Sequence, residues 1–351
     1  TVTDRVDWAS ATDTGSLLPV FVLSGLLTKS VALQISGAAS VDVFGFVVGT
    51  VGSFALTTGT STVDTKNAAV GAAGVLTNAS VMSLALSGLN LFAGVGGSLN
   101  YNGSADVADD TISTAGAIGF AITGGSIKFA SVRPSGLTAG QKTAYTGVEI
   151  SLSGAELVGI DGLVLKANGS VLVNKATNAA GGTVTDRVDW ATATDTGSLL
   201  PVFGTGLTKS VALQISGSAS VDVFGFVVGT VNSFVLTTGT STVDTKNTNI
   251  GGGTLTGASV MSLTLSGLNL FAGTGGSLNY NATATVADDT ISTAGAIGVS
   301  ITGGSINFAS VRPAGLTAGQ KTAYTGVEIS LLGAELVGID GLVLKANGSV
   351  L

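Results

Sequence analysis

With 351 residues, 53 of them Gly, no Cys, no His, 10% charged residues and a formal net charge of -7, the chain excludes several function classes. Absence of His removes the commonest general base and metal ligand near neutral pH, absence of Cys removes disulfide and thiolate chemistry, and an acidic chain with singly scattered Lys and Arg lacks the basic patch that nucleic acid requires. A hydrophobic content of 45% is ample for a core, and its bias to Val, Leu, Ile and Ala beside Ser, Thr and Asn predicts an all-β structural protein.

The first stretch, TVTDRVDWASATDTGSLL at 1–18, sets Asp4, Asp7 and Asp13 around Trp8. Hard carboxylates near Gly and Thr suit Ca²⁺, an oxygen-ligated ion. The competing reading is a solvated turn in which Asp caps backbone N–H groups and Asp4 pairs with Arg5. Neither an EF-hand pattern nor a Gly-Gly-x-Gly-x-Asp repeat is present. Trp8 is either a sugar-stacking surface or a plug for the end of a repeat, and the neighbouring Val6 favours the plug.

Four stretches then share one shape: ALQISGAASVDVFG (32–45), SLALSGLNLFAG (83–94), GFAITGGSIKFAS (119–131) and VEISLSGAELVGIDG (148–162). Apolar residues alternate up to a small residue followed by Gly, and alternation resumes after it. Period two predicts strands, and Gly37, Gly88, Gly124 and Gly154 predict tight corners between them. Asp109 and Asp110 in VADD (107–110) are adjacent, so on a strand they point to opposite faces and form no catalytic pair. Glu149 and Glu156 flank the last corner, where a hairpin would set them face to face as glycosidase carboxylates must be. Only Tyr145 is near to stack on a sugar, and no catalytic residues and no enzyme are expected. GLTAGQKTAY at 136–145 predicts one turn or a short helix.

After VNKATNAAGG (173–182) the chain restarts, with TVTDRVDWATATDTGSLL at 183–200. Asp186, Asp189 and Asp195 form a second candidate metal set, and Trp190 and Val188 repeat Trp8 and Val6. The corners return as Gly217, Gly267, Gly303 and Gly333, while the offset falls from 182 to 180 to 179 through short deletions that mark loops. Residues 1–172 and 183–351 are thus two β-rich copies joined by a linker at 173–182, and further copies are expected in tandem. A free tether needs only Gly, Ser and polar residues; the Trp and Val residues of 183–200 therefore predict an ordered seam that docks one copy onto the next. The expected architecture is a β-solenoid of short strands joined at Gly corners, with tandem β-sandwich domains as the alternative.

In its tandem copies, its Ser/Thr-Gly corners and its Val/Ala/Ser/Gly/Thr composition, the chain resembles repeat regions of very large bacterial cell-surface proteins, adhesin-like or matrix-forming. The resemblance implies an extracellular or cell-surface location and a stalk, fibre or surface sheath built by tandem stacking and lateral packing. It assigns no functional residue. A mean hydropathy of +0.57 leaves apolar residues for the surface and favours self-association of identical copies or chains. Cell-surface carbohydrate is a second candidate partner, and a calcium- or carbohydrate-binding surface module is the alternative function. No apolar run is long enough for a membrane helix.

Overall fold

The structure, a computed structural model, describes residues 4–21, 25–101, 103–136, 142–178, 183–184, 186–280, 286–315 and 321–351. The first copy forms β1 (Val31–Val43), β2 (Val47–Asp64), β3 (Val75–Val95), the short β4 (Ser98–Asn100) and β5 (Thr111–Ser113), then β6 (Ile118–Arg133), β7 (Lys142–Val158) and β8 (Leu163–Asn178). Two short strands follow, β9 (Thr183–Val184) and β10 (Thr194–Asp195). The second copy repeats the series as β11 (Val211–Val223), β12 (Val227–Asp244), β13 (Thr254–Thr274), β14 (Ser277–Asn279), β15 (Thr290–Ser292), β16 (Ile297–Arg312), β17 (Tyr324–Val337) and β18 (Lys345–Val350).

All-β is therefore the class, and the described residues contain no α-helix. Instead of the short stacked coils of the expected solenoid, the long strands form one antiparallel sheet in the order β1-β2-β3-β6-β7-β8-β11-β12-β13-β16-β17-β18. Sequence neighbours pair because short turns return the chain at once. Between β1 and β2, for example, Phe44 and Gly45 both take positive φ (52° and 70°), and the Phe46 N–H donates to the Val43 carbonyl at 2.9 Å. Two left-handed residues in the loop match the twist of a hairpin. Strands β1 and β18 end the path and do not pair with each other, so the sheet is not closed into a barrel.

The glycines expected as corners lie inside strands. Gly37, Gly88, Gly124 and Gly154 fall in the middle of β1, β3, β6 and β7, and their counterparts fall in β11, β13, β16 and β17. Register shifts accompany them, between Gly37 and Ala39, around Leu89 and between Leu152 and Ala155. Gly88 and Gly124 have φ of 63° and 64°, which Gly adopts without steric penalty and other residues resist. Such a residue makes a bulge that bends the strand but does not reverse it. The glycines form a crease across the sheet: a Cβ on Gly88 would meet Gly52 at 3.4 Å, and Gly169 pairs with Gly217 across the junction of the copies. Alternation resumes after each Gly because the strand simply continues. The same change of reading separates Glu149 from Glu156. Both lie on β7, seven residues apart, hence roughly 20 Å apart at about 3.3 Å per residue, too far for a glycosidase pair.

A single-layer sheet buries little unless something covers it, and here the core is divided. At one end of the long strands the hairpin β4–β5 folds back, so that Leu99 and Ile112 pack on Val48, Phe92, Ala117 and Ala121. Asp42 holds that hairpin by accepting the Leu99 N–H at 3.0 Å. The second copy builds the same cluster on Val228, Phe271, Leu278 and Ala296. The largest cluster lies at the other end of the first copy's strands. It joins Val63, Val81, Ala130, Val132, Tyr145 and Ala176 to Val188, Trp190, Leu199, Phe203 and Leu207 of the following segment.

Residues 173–178, expected as linker, complete β8, where Val173 pairs with Leu213 of β11. Residues 179–182 lie outside the described residues. So do 137–141 of the expected turn at 136–145, of which 142–145 begin β7.

Candidate functional site at the seam

The segment from β9 to Thr208 bridges two strands of the first copy. Thr183 and Val184 of β9 pair with Thr177 and Ala176 of β8, while Thr194 and Asp195 of β10 pair with Asp64 and Val63 of β2. The Asp189 N–H donates to the Thr65 carbonyl just past β2 (2.9 Å), and the next residue, Trp190, donates its indole N–H to Asn174 Oδ1 on β8 (3.1 Å). Strands β2 and β8 are four steps apart in the sheet, or about 19 Å if it were flat. One residue step and an indole do not reach that far, so this end of the sheet is curled into a trough and the segment lies in it.

Trp190 fills the trough at 2% exposure. Its ring sits on Gly147 of β7, where a Cβ would lie 2.8 Å from ring atoms, and its other flank meets Phe203 at a centroid distance of 5.5 Å. Asn174, itself 2% exposed, accepts from the indole and donates to the carbonyls of Val188 (2.8 Å) and Thr208 (3.0 Å). A buried amide with its bonds made specifies geometry, whereas a half-satisfied one is costly. Along the rest of the segment, Ser83 Oγ donates to the Leu199 carbonyl (2.7 Å), the Gly197 N–H to Ser61 Oγ (2.8 Å), and the Gly204 N–H to Glu149 Oε2 (2.6 Å). Glu149 also pairs with Lys128 at 3.1 Å. Of the seam expected at 183–200, residues 186–200 dock on the first copy's sheet in this way, and Thr185 lies outside the described residues.

The first copy's own segment has the same internal form without a trough beneath it. Trp8 meets Phe21 at 5.5 Å, and the Ala9 N–H donates to the Leu27 carbonyl at 3.1 Å, as Ala191 does to Leu207 at 3.0 Å. Yet Val6 is 51% exposed where Val188 is fully buried.

The candidate metal carboxylates are dispersed along this segment. Asp195 accepts backbone N–H groups from Gly197, Leu199 and Leu200 at 3.1, 3.0 and 3.2 Å. Asp13 accepts those of Leu17 and Leu18 at 2.6 and 3.1 Å. Asp189 Oδ1 accepts from the Thr192 hydroxyl at 3.3 Å. Asp4 is exposed, Asp7 Oδ1 is buried without a hydrogen-bond partner, and Asp186 lies beside Tyr145 and Arg187. Among the described residues no three acidic side chains converge on one point. Asp109 and Asp110 also part company in the second copy: Asp289, the counterpart of Asp110, is buried and accepts from Ser220 Oγ at 2.6 Å.

Burial, with the Asp186 charge adding to it, pushes the Tyr145 hydroxyl up to about 12 from its ordinary 10. Below pH 10 the phenol is neutral both folded and unfolded, and the folded state keeps its full stability. Between pH 10 and 12 the unfolded chain ionises first, so stability falls as pH rises through that window. Thermal unfolding of the wild type should therefore drop steeply above pH 10, and Tyr145→Phe should flatten that drop; parallel curves would refute the assignment.

Sequence reasoning missed Asn174 and Gly147. The signal for Asn174 was present: Leu172, Asn174 and Ala176 continue the strand's alternation through the supposed linker, which places an amide at a core position. Gly147 carried no signal, because its counterpart Gly326 stands in the same local sequence with nothing within 4 Å of its Cβ position. Comparison with known protein families, with curated proteins and with solved structures returns no match to this chain.

Proposed function

We propose that this chain is a structural repeat protein of the cell surface, whose copies are laid edge to edge to build a stalk, fibre or sheath. One observation carries the reading: the second copy's segment 186–207 completes the largest core of the first copy, while β11 extends the first copy's sheet through β8. Each copy is then incomplete alone and becomes stable by having a successor, which is how stacked repeats behave. A calcium-bound seam is less favoured because Asp13 and Asp195 already hold turn N–H groups.

Length is the test. Each copy adds six long strands, or about 29 Å at roughly 4.8 Å per strand. Small-angle scattering on chains of two, four and six copies should show the longest dimension growing in equal steps with a constant cross-section. Scattering from independent beads on flexible joints would overturn the reading. Antibody labelling of intact source cells checks the surface location.

A further inference from the structure

One face of the long sheet is apolar in every strand and has nothing on it. Glu149 reaches the Gly204 N–H in the trough, and Leu172 lies against Gly206 there. Their strand neighbours Ile150 and Val171 therefore point the opposite way. In register with those two runs a row of Phe54, Leu86, Ile127, Ile150, Val171 and Ile215, on β2, β3, β6, β7, β8 and β11. The row continues to Val327 of β17 through apolar residues alone. Beyond the crease, Val48 and Ala121 lie under the hairpin β4–β5, which turns Val47 and Phe120 away from it. Ala155 and Ala167 line the same cavity of about 160 Å³ as Ile150 and Val171, so the bare face is continuous across the crease and across the junction of the copies.

The exposure is the same in both copies. Val47, Ile118 and Phe120 are 40%, 52% and 53% exposed, and their counterparts Val227, Ile297 and Val299 are 41%, 53% and 47% exposed. All lie on β2, β6, β12 and β16, which have a strand on either side. Both segments that cover the sheet, β4–β5 and 186–207, are on its other face. Lys128, Glu149, Glu156 and Lys166 alternate onto that other face too. From the row of Val47 to the row of Phe54 the bare face thus carries no charged side chain among the described residues.

We propose that this face is an interface between chains, on which a second copy of this chain packs the same face, sheet on sheet. A sheet that is apolar on one face is stable when that face is buried against another layer. Three properties identify the layer. Two identical uncharged faces meet without like-charge repulsion. The pattern recurs every six strands, or about 29 Å, and another array of the same repeat offers a cover with that period. The band between the two rows measures roughly 1,500 Å² over two copies, against the roughly 800 Å² that each partner buries in a standard interface. The curl of the sheet makes the face convex, and contact over about half of the band is enough. Lipid is a poorer occupant, because lipid-facing sheets carry girdles of Trp and Tyr and neither row holds one.

The inference rests on the sheet running unbroken through both copies, as the proposed function does, and the experiment reads the two apart. Light scattering should give a dimer of the chain, and small-angle scattering should show it roughly twice as thick as the monomer at nearly the same length. Phe120→Lys with Val299→Lys, which places a charge at matching points of both copies, should give a monomer. Phe120→Thr with Val299→Thr keeps strand preference and should weaken the dimer about tenfold. The emission of buried Trp190 reports that each variant is folded. A wild-type monomer overturns the inference. So does a dimer of doubled length, which is edge addition, or a dimer that the folded variants leave intact. Flotation of the monomer with phosphatidylcholine vesicles would give the face to lipid and overturn it as well. In each of these cases, length growing in equal steps with copy number leaves the stacking of copies intact. A thick dimer of chains that scatter as flexible beads overturns the stacking alone.

Discussion

Trp190→Ala lowers the unfolding free energy by roughly 3–5 kcal/mol, the usual cost of deleting a large buried aromatic side chain, while Trp8→Ala costs much less. The two tryptophans occupy the same place in the same motif, so the contrast isolates what lies beneath them. Under Trp190 are Gly147 and Phe203, and its indole N–H satisfies Asn174. Removing the ring empties the trough and leaves a 2% exposed amide oxygen without its donor, a further penalty. Trp8 touches Phe21 and is only partly buried. Chemical denaturation of the two single variants gives the comparison. Trypsin gives a second readout, because Arg187 is 8% exposed and its bond should be cut slowly in the wild type and rapidly in Trp190→Ala. Equal losses for both variants would mean that the seam is a tether.

Gly147→Val is the second large effect, and its matched control is Gly326→Val. A Cβ at 147 would sit 2.8–2.9 Å from three atoms of the Trp190 rings, a contact that forces the indole or the strand to move. A rigid bicycle held by a hydrogen bond has no easy retreat, so the cost is about 1–3 kcal/mol or more. At 326 nothing lies within 4 Å, and a β-branched residue in a strand is neutral or slightly favourable there. Calorimetry should show a marked fall in melting temperature for the first variant and almost none for the second.

The strands were legible because their cause is local. Alternating Val, Leu, Ile and Thr from Val31 onward can satisfy the backbone only in a sheet, and the copies at offsets of 182 to 179 announce themselves. The seam was legible for a related reason: a Trp and several Val residues between two copies have no use in a free linker. The crease was misread as a row of corners, since a Gly between two alternating runs looks the same whether the chain reverses or merely bulges. What distinguishes the cases is the pairing register, and register is a property of two strands.

Composition and alternation determined the all-β class, the duplication and an ordered, apolar junction. The curl of the sheet, the path of 186–207 from β8 to β2 and back, and the partnership of Trp190 with Gly147 and Asn174 belong to the tertiary structure. The physical reason shows in the two copies themselves. Tyr145-Thr146-Gly147-Val148 and Tyr324-Thr325-Gly326-Val327 are the same letters, yet Trp190 packs on the first stretch and nothing lies within 4 Å of the Cβ position of Gly326 in the second, because burial depends on which distant segment packs on a strand and not on the strand's own letters.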